Sequence, residues 1–194
     1  MNSPTHLTAL ERLIKTAVDQ VEQTQGIAPD FTPETLPLVD HHLNSVVALQ
    51  DVEQRAFSLA AIGCYFGEVV RRRLDARWAT PSDNPLGWRI ELNSCFLYFS
   101  PLAIANEVLV GCETAEFDAS FGTLGKHHEA VDSRLKQAPQ IGEAEYYSLS
   151  SRLEVAELIS DFLVGLGAED ERNVFKAADY ERELAVNQAS SCVH

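Results

Sequence analysis

The stretch Ala56–Val70, AFSLAAIGCYFGEVV, is apolar on every side of a helix and runs directly into Arg71, Arg72 and Arg73. At helical spacing Phe57, Ala61 and Cys64 share one face, Ile62, Tyr65 and Val69 a second, and Leu59, Phe66 and Val70 a third. A surface helix needs only one such stripe, so this segment is expected in the middle of the fold with other elements around it. It is too short, and too quickly followed by charge, to span a bilayer. Gly63 and Gly67 lie four apart within it, beside Ala60. Each costs about 1 kcal/mol relative to alanine in a helix interior, a cost most easily offset where another backbone crosses closely.

Around this helix the pattern predicts a mostly helical chain. Thr8-Ala-Leu-Glu11 reads as a capping box, followed by a stripe of Leu10, Leu13/Ile14, Ala17 and Val21 that stops before Gly26. A Pro-rich connection over about 26–37 leads to a helix carrying Val39, Leu43, Val46 and Val47 inward. The buried helix is expected from near Asp51 to near Trp78. After the turn Asn84-Pro85-Leu86-Gly87, the segment WRIELNSCFLYF predicts a hairpin with Asn93-Ser94 as its loop. That register sets Trp88 against Phe99, Ile90 against Leu97 and Leu92 against Cys95.

Ser100-Pro101 opens a short helix ending at Gly111, residues 112–123 read as loop, and a helix follows from about Leu124 to Lys136. Ser151-Arg-Leu-Glu154 reads as a second capping box, and an acidic helix is expected over about 170–186 before a loose tail at 187–194. The expected fold class is α+β, predominantly α-helical: one domain over 1–194, with a central buried helix and one small antiparallel hairpin.

Length and composition bound the function classes. A chain of 194 residues with 45% apolar and 23% charged side chains can bury a core without staples. Cys64, Cys95, Cys112 and Cys192 form no C-x-x-C pair and read as reduced thiols of a cytoplasmic protein. The formal charge of −14 is uneven. Residues 1–54 carry two basic against eight acidic side chains (−6), residues 55–100 six against four (+2), and residues 101–194 seven against seventeen (−10). Such a field repels nucleic-acid phosphates and anionic membranes, and it favours solubility or encounter with a basic partner.

The first constellation to weigh is Tyr65, Glu68, Arg71, Arg72 and Trp78. Glu68 is one helical turn from both arginines, in the favourable acid-before-base order. A carboxylate beside an all-apolar helix must be paired or neutral. It is therefore either a structural ion pair or part of a pocket in which a guanidinium receives a carboxylate or phosphate. The run Gly63-Cys64-Tyr65-Phe66-Gly67-Glu68-Val69, with the paired arginines, Trp78 and two strands, resembles a group of uncharacterised bacterial domains. The likeness spans about Leu59 to Phe99 and implies a helix-plus-ribbon core, with no activity attached.

Asp40-His41-His42 and His127-His128-Glu129 each set three potential ligands side by side. Adjacent helical residues diverge by about 100°, so neither triplet closes a metal site alone. No metal and no cofactor are expected. No G-x-S-x-G elbow, phosphate loop, dinucleotide fingerprint or H-E-x-x-H occurs. Two functions follow as expectations. The first is a non-catalytic protein-interaction module, of inhibitor or immunity type, whose partner is another protein, a basic one included. The second is a small-ligand binder or enzyme using Tyr65, Glu68, Arg71 and Arg72.

Overall fold

A computed structural model describes residues 4–115, 117–139, 142–167 and 174–191, with side chains from Ala9 on except at 143, 144 and 187–191. The fold is α+β and predominantly helical. Helix α3 (Val52–Arg73) starts at Asp51, whose carboxylate accepts from the Glu53 and Gln54 amides. Every residue from Ala61 to Val70 is buried. The all-round burial starts later than the sequence suggested: Phe57 is 52% exposed and Leu59 half-buried, while Ser58 between them is buried and accepts from Gln20.

Helices α1 (Pro4–Gln25), α2 (Leu36–Val46) and α4 (Pro101–Val110) pack along α3. Helix α1 starts before the expected box, so Thr8 lies inside it. In α2, Val39, Leu43 and Val46 are buried, whereas Val47, just past the helix end, is exposed. The two glycines of α3 face different neighbours. A β-carbon on Gly63 would come within 2.8 Å of the Leu102 Cα, so the backbone of α4 does cross there. One on Gly67 would collide with the Trp78 indole and come within 2.9 Å of the Pro101 Cγ at the start of α4.

Helix α3 ends at Arg73, short of the expected Trp78. Asp75 takes a left-handed conformation (φ 46), which aspartate tolerates better than most residues. Its carbonyl and carboxylate both accept from Asn93. The chain is thereby turned into β1 (Ala76–Ala79), the first strand of an antiparallel meander with β2 (Arg89–Leu92), β3 (Leu97–Phe99) and β4 (Gly122–Thr123) in that order. Ile90 pairs with Phe99 and Glu91 with Tyr98. The register is thus two residues from the expected one, and Asn93–Phe96 form the connection. A slip of two preserves which side chains share a face. Trp78, Ile90, Leu92, Leu97 and Phe99 belong to the core around α3, as a period of two requires.

The other sheet face holds a buried carboxylate, Glu91, gripped by Arg77 (2.9 Å) and Arg89 (2.7 Å). Beyond the sheet come α5 (His128–Lys136), α6 (Glu143–Tyr146), α7 (Leu149–Gly167) and α8 (Ala177–Ser191). Ser148, rather than Ser151, caps α7 by accepting from the Ser151 amide, and Asp40 of α2 accepts from Leu149 and Ser150. Helix α8 begins at Ala177, with Asp179 accepting from the Lys176 amide. It stays helical through the expected loose tail as far as Ser191; residues 168–173 and 192–194, Cys192 included, lie outside the described residues.

The α8 segment closes the β2–β3 connection. The Tyr180 hydroxyl accepts from the Leu97 amide at 3.0 Å and lies 2.8 Å from the carbonyls of both Leu92 and Cys95. Its ring stacks on Phe96 with centroids 4.2 Å apart.

Candidate functional site

A groove of about 810 Å³ opens between α1, the end of α3 and β1, and its lining includes Glu68, Arg71, Arg72 and Trp78. The helical period brings Arg71 and Arg72 back over Glu68, and the turn at Asp75 returns Trp78 to the same place. Glu68 is buried. Its Oε2 accepts from Arg71 Nε and its Oε1 from Arg71 Nη2, both at 2.8 Å. Arg72 Nε donates to Oε1 at 2.8 Å, and Trp78 Nε1 donates to Oε2 at 3.4 Å. Burial alone would raise this carboxyl's pKa, but the hydrogen bonds and charges of the two arginines outweigh it and the net shift is downward. Three arginines in the last turn of α3 also complement its dipole.

Tyr65 does not line the groove. It is fully buried, and its hydroxyl accepts from the Phe31 amide at 2.9 Å. Phe31 connects it to the cluster: the Phe31 ring stacks on Tyr65 (4.9 Å) while the Arg72 guanidinium sits 3.9 Å from the same ring's centroid. Phe31 has φ 68, a costly conformation for a bulky side chain. The preceding Asp30 carboxylate ties the turn by accepting from Thr32 and Thr35. The Pro-rich connection is therefore one lip of the groove, a role for which the sequence carried no signal beyond an aromatic among prolines. Leu10, Ile14 and Val18 of α1 form the opposite wall. The stripe legible in the sequence held Leu10 and Ile14 but not Val18, and it did not show that Ile14 and Val18 stay half-buried at an opening.

Part of each guanidinium is left over. Arg71 Nη1 and both terminal nitrogens of Arg72 have no partner among the described residues, and these side chains are 39% and 48% exposed. The other basic side chains at the rim are paired, Lys15 with Asp19 at 2.6 Å and Arg77 with Glu91. Comparison with family models, with curated proteins and with solved structures gave no match for this chain. The chemistry of the groove rests on its own residues.

The two histidine triplets stay apart in role. Asp40 is the cap on α7, His41 is exposed, and His42 is buried with Nδ1 2.9 Å from Thr24 Oγ1. His128 donates from Nε2 to the Thr123 carbonyl at 3.2 Å. Among the described residues no group of three His, Cys, Asp or Glu side chains could hold a metal ion, and no helix is long and apolar enough to cross a membrane. Burial pushes the Cys64 thiol up to about 12 and Cys95 to about 11, away from nucleophilic use. A second cavity, of about 560 Å³, is floored by the buried Arg152–Glu107 pair. There Arg152 also donates to the Tyr146 hydroxyl and covers its ring, so its charge is already matched.

Proposed function

We propose that this chain is a non-catalytic binding protein whose site is the groove between α1, α3 and β1, and that it takes an anionic group. The observation that carries this is the double grip of Glu68. One buried carboxylate fixes two guanidiniums and leaves their outer N–H groups unpartnered on the groove wall. Preformed donors of this kind lose little freedom on binding, which is what converts contact into affinity. The non-catalytic half of the reading is supported by the state of Glu68. A carboxylate with a lowered pKa and both oxygens engaged is a poor proton carrier near neutrality.

The test is a thermal-shift screen of small anions and cations at millimolar concentration. Anions are expected to raise the melting temperature as ligands of the folded state do, and Arg71→Gln or Arg72→Gln to abolish the shift. An anion shift that survives both substitutions overturns the reading. The formal charge of −14 supports a second reading, a basic protein partner. In that case Glu181→Lys with Glu183→Lys slows association and flattens its salt dependence.

A further inference from the structure

Resting on that reading of the groove, we infer that its ligand is an amphipathic monocarboxylate: one carboxyl group on an apolar body. Three observations carry the class. The first is charge. The lining carries four basic side chains, Lys15, Arg71, Arg72 and Arg77, against three acidic ones, Glu11, Asp19 and Glu68, a formal excess of one positive charge. Glu11 is one of those three acids, so no unmatched positive charge is left for a second negative charge on the ligand. A carboxylate brings one charge; a phosphate monoester brings nearly two at neutral pH.

The second observation is shape. Arg72 is held by Nε at Glu68 and lies across the Phe31 ring, so its plane is fixed and both terminal nitrogens remain. That fork matches the two oxygens of a carboxylate. The third is the wall. Leu10, Ile14 and Val18 on one side and Phe31 and Trp78 on the other give the groove two apolar walls between its charged side chains. Its volume of about 810 Å³ exceeds what a headgroup alone would fill.

Calorimetric titration of the purified full chain with octanoate, octyl phosphate, octanamide and acetate tests this. Octanoate is expected to bind one per chain, at least tenfold more tightly than each of the other three. Arg72→Gln should weaken octanoate at least tenfold and leave octanamide unchanged. Arg72→Lys, which keeps the charge and loses the fork, should recover less than half of that loss on a logarithmic scale, and melting curves of both variants confirm folding. Octyl phosphate binding as tightly as octanoate, still dependent on Arg72, overturns the carboxylate class and leaves the anion groove standing. Octanamide equal to octanoate overturns the requirement for charge. Binding of no probe overturns the inference, and indifference of every anion to both arginines overturns the reading beneath it.

Discussion

Glu68 is the residue on which the groove depends, and its replacement separates holding from binding. Glu68→Gln keeps the volume but removes the charge that faces two guanidiniums. Breaking a partly buried pair costs about 1–3 kcal/mol, and the low end applies because both arginines are well exposed. Urea unfolding is expected to show that loss with an unchanged slope. A variant as stable as the parent would mean that Glu68 contributes nothing to holding the arginines. His42 gives a second test at this scale. Its Nδ1 lies 2.9 Å from Thr24 Oγ1, and its Nε2 is buried without a hydrogen-bond partner among the described residues. Burial holds its pKa below the ordinary histidine value. The unfolded chain therefore takes up the proton first as pH falls. Stability should be full above about pH 6.5 and decline below it towards the folded-state pKa. His42→Gln should flatten that decline between pH 7 and 5.5, read by unfolding at a series of pH values.

Among the elements, α3 shows what a pattern can carry. All-round apolarity identified the central helix, and two glycines announced close approach, because both signals are local and periodic. The neighbours were not local. Gly63 meets the α4 backbone, but Gly67 meets first an indole that the sequence pattern put at the end of the same helix. Gly67→Leu is expected to cost about 3 kcal/mol or more, since the ring of Trp78 would have to leave both Gly67 and Glu68. A melting temperature within a degree or two of the parent would refute the contact. The helix end and the hairpin register were illegible for one shared reason. Asn93 bonds Asp75, and Tyr180 occupies the carbonyls of the β2–β3 connection. Propensity over a short window cannot register a partner 18 residues away, as Asn93 is from Asp75, still less one 85 or 88 residues away, as Tyr180 is from Cys95 and Leu92. The candidate cluster was legible for Glu68, Arg71 and Arg72, which are helical neighbours. Phe31 and the α1 wall were not, because only the tertiary fold brings them there.

Across the whole molecule, the acidic bias and the C-terminal helix set its response to conditions. With a formal charge of −14, self-repulsion weakens the folded state at low ionic strength, so the urea midpoint should rise between 10 and about 150 mM sodium chloride. An unchanged midpoint would show that the carboxylates are too dispersed to matter. Tyr180→Phe should cost about 1–3 kcal/mol by leaving the Leu97 amide without its acceptor in a buried site. The same hydroxyl has a consequence in time. Leu92 leaves the ribosome 88 residues before Tyr180 does. At about 5–20 residues per second, the tip of the sheet is made roughly 4–18 s before the group that finishes it. During that interval its carbonyls have only water, or some other chain, to bond.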